Sequence, residues 1–208
     1  MRIAFDTRLP QARWGPLFHV FRLEHPEVRL DWRPTGFPTR GSPLLDGADV
    51  GLFLEPPPEP RVRRLTLEVS PMVVVVAVGH RLAGHEELTV AEILDEPFPG
   101  NPGLHPEWRS FWTLDRQRGK AATLSGDDVR TAEDALDVVA AGRAIATLPA
   151  SLAGDLAHPG VVAVALGDGP PVRTCLVWHS EAEDPAIRAL VDLADAWTRG
   201  RRSSPGRA

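Results

Sequence analysis

A chain of 208 residues with 43% hydrophobic content can bury one large core or two small ones, which excludes disorder of the whole chain. A formal net charge of −5 argues against a chain whose main task is holding nucleic acid, since neutralising phosphates needs clustered Lys and Arg. The single cysteine, Cys175, forms no intrachain disulfide, reads as a small buried hydrophobe and fits a reducing compartment.

The opening residues MRIAFDTRLPQARW meet acid by Asp6 and hold no long apolar run, so neither a secretion signal nor a membrane anchor is expected there. Arg2 to Asp6 reads as a first strand, and Leu17, Phe18, Val20 and Phe21 share one face of a helix over Trp14 to Glu24. Val28, Leu30 and Trp32 alternate with charged residues at strand period. A loop rich in Pro, Thr and Gly follows, then a short helical piece near Leu44 and Leu45, then a strand over Val50 to Leu54. This β-α-β-α-β order implies a parallel sheet with helices on its faces. The proline run Glu55 to Pro60 cannot join a helix or a central strand and is expected as an exposed connection.

Further along, Leu65, Leu67 and Val69 alternate with polar residues, and Met72 to Val78 has no polar face, so that strand must be covered on both sides. The latter run is also too short to span a bilayer. Thr89 and Glu92 stand at capping-box spacing, and Pro106 suits the first position of a helix carrying Trp108, Phe111 and Trp112. Strands are expected over Ala121 to Leu124, Val161 to Ala165 and Thr174 to Trp178. Asp184-Pro185 opens a last helix, and the segment 199–208 has no apolar anchor and reads as a disordered tail. The six tryptophans sit mostly at helical or strand spacing with aliphatics, which favours core packing.

The richest stretch is TAEDALDVVAAGRAIATLPASLA, Thr131 to Ala153. Thr131 and Asp134 have the spacing of a capping box, Leu136, Val139 and Ala140 recur at helical spacing, and Gly142 suits a left-handed C-terminal position. The apolar run Ala144 to Leu148 ends at Pro149, so the unit reads helix, buried strand, helix.

Chemistry is sparse. The seven histidines are scattered and lack metal-ligand spacing, and no phosphate loop, dinucleotide fingerprint or nucleophile elbow occurs, so no metal, no cofactor and no catalytic residues are expected. Asp127-Asp128, just before the helix at Thr131, reads as a complement to its dipole rather than an acid–base pair. What remains is a set of small polar groups at predicted strand ends: Thr7 and Arg8, Thr35 and Gly36, Gly100 and Asn101, and Thr131. Two β/α units without a long linker imply a cleft between lobes, lined by these residues and suited to a small polar or anionic metabolite, with Arg8 recognising any anionic group.

The segment VVAAGRAIATLPASLA resembles the LVAAGxGIALxPxxxA segment of LysR-type transcriptional regulators, in their effector-binding half. Other segments agree in order: Arg2-Ile3-Ala4-Phe5 with the opening strand, His25-Pro26-Glu27-Val28 within an FRxxHPxVxL pattern, Gly47 to Gly51, His80-Arg81-Leu82-Ala83, and Leu88 to Phe98. The resemblance implies an α/β fold like type 2 periplasmic binding proteins, with two Rossmann-like subdomains joined by crossover strands around a central cleft. Subdomain I is expected over 1–73 plus 178–198, and subdomain II over 74–177. It further implies a cytoplasmic, non-enzymatic, homodimeric sensor that alters DNA binding by a separate winged helix-turn-helix which this chain does not contain. A stand-alone solute-binding protein of the same fold is the alternative. The family commonly has Ser or Thr in the first cleft loop, where this chain has Asp6-Thr7-Arg8.

Overall fold

A computed structural model describes residues 1–39, 45–100, 103–155 and 158–202. In chain order its elements begin β1 (Arg2–Asp6), α1 (Gln11–Glu24), β2 (Asp31–Thr35), β3 (Val50–Leu54), β4 (Val62–Ser70), β5 (Met72–Ala77) and β6 (Glu87–Leu88). After a 3-10 turn over Val90–Ile93 come α2 (Pro106–Trp112), α3 (Asp115–Arg118), α4 (Ala132–Ala140), β7 (Ala146–Pro149), α5 (Ala150–Ala153), β8 (Val161–Leu166), β9 (Val172–His179) and α6 (Pro185–Arg202). They fall into two compact units, the first formed by Met1–Thr35, Pro43–Val69 and Arg173–Ala208, the second by Gly36–Ser42 and Ser70–Val172.

The first unit is built on a sheet of order β2-β1-β3-β9-β4. β1 pairs in parallel with β2 and β3, as the β-α-β pattern requires, while β9 returns antiparallel to β3 from Leu54↔Thr174 to Val50↔Trp178. That ladder places β9 from Arg173 onward in the first unit, whereas the sequence reading sets the boundary at 177/178. β2 starts at Asp31 rather than at Val28 because Arg2↔Asp31 sets the register, and as an edge strand it accommodates Pro34. α1 buries Trp14, Leu17, Phe18 and Phe21, and Ala4, Phe53, Cys175 and Val177 close the core with Leu45 and Ala48. Leu45 to Gly47 forms a turn rather than the expected helical piece, and Leu44 lies outside the described residues. Pro56 and Pro57 are buried while Pro58 and Pro60 are exposed, so the proline run is a partly packed connection rather than the wholly exposed one expected. α6 opens with Asp184 Oδ1 accepting from Ala186 N–H at 2.8 Å and continues through Arg202, past the expected start of the tail; residues 203–208 lie outside the described set.

The second unit carries a four-stranded sheet of order β6-β8-β5-β7. β5 is buried throughout, as its unbroken apolar run demands, and both partners, β7 and β8, run antiparallel to it. The expected strand over Ala121 to Leu124 reduces to one parallel bridge, Phe98↔Leu124, because its exposed Ala121 and Thr123 give it no second ladder to join. α2 begins with Pro106 at its first position and buries Trp108 and Trp112, and Phe37 stacks on Trp108 at 5.0 Å.

α4 realises its sequence signals at both ends. Thr131 Oγ1 accepts from Asp134 N–H at 3.1 Å, and Asp134 Oδ2 accepts from Thr131 N–H at 2.9 Å, so two orphan donors are satisfied reciprocally. At the far end Gly142 adopts φ 71°, its N–H reaches Val139 O at 2.8 Å and Arg143 N–H reaches Val138 O at 3.2 Å. This is a Schellman closure, and it needs a residue without a Cβ penalty at Gly142.

Candidate functional site

Within the first unit the structure brings Thr7, Arg8 and Thr35 to the carboxyl ends of neighbouring parallel strands. β1 and β2 end in register at Asp6↔Thr35, and Thr7 N–H donates to Thr35 O at 3.4 Å. Thr35 Oγ1 donates to Phe5 O at 3.0 Å, which fixes its rotamer and leaves its lone pairs available. Thr7 is exposed and Thr35 half-buried, so both can meet a solute.

Arg8, expected to recognise any anionic group, is already engaged by Asp6. Its backbone N–H and Nε both donate to Asp6 Oδ1, at 3.0 and 2.8 Å, and its terminal nitrogen donates to Asp6 Oδ2. The two side chains are only 14% and 6% exposed, which makes this a nearly buried, fork-shaped ion pair. Leu54 N–H adds a further 3.5 Å contact to the same carboxylate, tying the end of β3 to the turn.

Within the second unit Gly36 and Thr131 come together, since a Cβ added at Gly36 would lie 3.6 Å from Arg130 O, one residue before the helix cap. Gly100 is buried against Leu124, where a Cβ would approach Leu124 Cδ2 to 2.9 Å, and it is not shown in contact with that pair. Asn101 lies outside the described residues.

Sequence reasoning missed the charge pattern around α4. Asp127 and Asp128, expected to complement the helix dipole, also hold arginines: Asp127 pairs with Arg143, and Asp128 accepts from Arg130 Nε at 2.9 Å. Asp134 is the carboxylate at the helix head, and it takes both Arg130 N–H and Thr131 N–H at 2.9 Å. Those backbone hydrogen bonds, from Arg130 first and then Thr131, hold the Asp134 carboxyl below the ordinary carboxylate range. Only the D-x-R spacing of Asp128 and Arg130 could have signalled any of this.

A separate cavity of about 340 Å³ lies in the first unit beside α1, bordered by Trp14, Gly15, Phe18 and Trp32, and none of the sequence-predicted positions lines it. Trp32 meets Phe18 edge-on at 4.7 Å and is 38% exposed, so the cavity is a gap at the margin of an aromatic core. Among the described residues no group of three or more His, Cys, Asp or Glu is arranged to hold a metal ion, and no helix is long and apolar enough to cross a membrane.

Parallel strands ending in hydroxyl-bearing turns are the kind of strand terminus at which open α/β sheets commonly place ligands, and the second unit's cluster is headed by a capped helix. The LysR substrate binding domain model matches residues 1–199, and the chain belongs to that family, whose members are effector-binding domains of transcriptional regulators rather than enzymes. An uncharacterized HTH-type transcriptional regulator of Escherichia coli (strain K12), YnfL, is 25% identical over 165 residues, covering 73% of this chain and 52% of that protein. The chain thus spans about half the length of the curated relative it matches. Among solved structures, the BenM effector binding domain with its effector benzoate has a TM-score of 0.70 at 20% identity, over 99% of this chain and 95% of that one. The effector binding domain of QuiR in complex with shikimate has a TM-score of 0.73 at 20% identity, over 96% and 97%. These likenesses establish the type 2 periplasmic-binding-protein-like fold.

Proposed function

We propose that this chain is the sensing part of a LysR-type regulator and binds a small polar metabolite, without transforming it, in the interlobe cleft that the sequence leads one to expect. The observation that carries this reading is the family match through residue 199 together with the grouping of Thr7 with Thr35, and of Gly36 with Thr131, at strand and helix termini. Hydroxyls and backbone N–H groups there fix orientation, and no acid, base or nucleophile is required. Gly100 and Asn101 belong to the same proposed set.

In this reading the effector favours one arrangement of the two units over another, and that difference in binding free energy is what a homodimer transmits to a separate DNA-binding domain. That the relative is an HTH-type regulator about twice as long as the match supports the second half of the proposal. A thermal-shift screen of metabolites tests it, because a ligand that binds the native state raises apparent stability. A hit whose effect falls when Thr35 and Thr131 are changed to Ala supports the assignment. Turnover of the hit compound would refute it.

A further inference from the structure

Resting on that reading, we infer that the part of the effector meeting the first unit is uncharged, and that Asp6 is the residue that makes it so by occupying Arg8. The family resemblance leads one to look for hydroxyls in this loop, yet the chain places a carboxylate and a guanidinium two residues apart on either side of Thr7. The guanidinium is not offered to solution. Asp6 receives Arg8 N–H, Nε and a terminal nitrogen, and both side chains are largely buried. An anionic effector at this turn would have to displace a carboxylate already held in bidentate geometry, or sit beside it as a second negative charge where water screens weakly.

The second unit repeats the pattern. A helix head attracts anions through its first N–H groups, and at α4 the carboxylate of Asp134 stands beside them as a fixed negative charge, held there by Arg130 N–H and Thr131 N–H at 2.9 Å. Arg130 is engaged by Asp128 and Arg143 by Asp127. At each described position proposed for the effector, therefore, the positive groups already carry an internal carboxylate. Thr7, Thr35 and Thr131 are left to meet hydroxyl, amide or carbonyl groups, Thr35 as an acceptor because its O–H already donates to Phe5 O.

The test uses the 208-residue chain, with inorganic phosphate and benzoate as anion probes, followed by ¹H–¹⁵N spectra that include the Arg8 Nε–H signal. In the unaltered protein neither probe produces a saturable shift at Thr7 or Arg8. Asp6→Asn removes the carboxylate from the guanidinium and gives saturable binding of at least one probe, roughly tenfold or more tighter, which Arg8→Gln in the same background abolishes. Asp6→Ser serves where the Asn variant does not fold, and the titration of the unaltered protein tests the inference without either variant. Saturable anion binding at Arg8 in the unaltered protein overturns the inference, as does a folded Asp6 variant that gains none. Failure of the broader reading looks different: metabolite hits would map away from Thr7, Thr35 and Thr131 while the Asp6 result stood.

Discussion

Thr131 and Asp134 hold each other's backbone N–H, at 3.1 and 2.9 Å, and so close the start of α4 from both sides. Replacing Thr131 with Ala removes one acceptor and should lower stability by about 1 kcal/mol, read by urea unfolding. Asp134→Ala acts in the same direction. Because hydrogen bonds from Arg130 and Thr131 lower the Asp134 pKa, its contribution is present above the unfolded carboxylate value and is lost as pH falls through the lower folded value. The stability gap between the native chain and Asp134→Ala should therefore shrink in acid below the ordinary carboxylate range. A gap independent of pH would show that the carboxylate is not the capping group.

Gly142→Ala should cost about 1 kcal/mol or somewhat more, since Gly142 sits at φ 71° and an L side chain is strained there. A Cβ at that position meets nothing within 4 Å, so the penalty is one of backbone conformation alone. Gly142→Asn should recover part of it, because Asn tolerates the left-handed region. Equal losses for Ala and Asn would contradict the Schellman assignment.

Gly15→Ala should gain less than helix propensity alone would give. Gly15 lies inside α1, and a Cβ there meets no atom within 4 Å apart from its chain neighbours, but Pro16 follows it and a proline ring crowds the Cβ of the helical residue before it. Ala is preferred over Gly in a helix interior by about 1 kcal/mol, and that crowding offsets it, so the thermal midpoint should move little. A rise worth the full propensity difference would show that the proline ring leaves the added methyl unhindered.

Cys175 should resist thiol reagents in the native state. Burial raises its pKa from 9.0 to about 11, with the Thr66 hydroxyl a weak partner at 3.9 Å. A folded pKa above the unfolded one keeps the thiol protonated and costs stability as pH rises from the unfolded value toward the folded one. Labelling with a disulfide reagent should follow unfolding rather than precede it. Rapid labelling of the folded chain would place the thiol at the surface.

Local spacing in the chain dictates the features that are legible without the structure. The cap at Thr131, the left-handed Gly142, Pro106 at a helix start and Asp184 before Pro185 all involve residues within a turn or two of each other, and each is realised. The β5 run declares its burial but not its partners, because antiparallel pairing with β7 and β8 joins residues far apart in sequence. Ala121 to Leu124 has the composition of a strand, and only the tertiary arrangement limits it to one bridge at Leu124. The site positions at Thr7 and Thr35 follow from the parallel order of β1 and β2. The pairing of Asp6 with Arg8 has no signal beyond the same D-x-R spacing, since side chains two residues apart on a regular strand point the same way without meeting, and it is the turn after β1 that folds Arg8 back.

The most direct measurement is a residue-resolved ¹H–¹⁵N titration of the 208-residue chain with the metabolite that most raises its thermal midpoint. Saturable shifts with a single affinity are expected at the amides of Thr7, Thr35 and Thr131, from a compound carrying hydroxyl, amide or carbonyl groups. Shifts confined to the aromatic groove beside Trp14 and Trp32, with those three threonines unmoved, would contradict a solute site at the strand and helix termini.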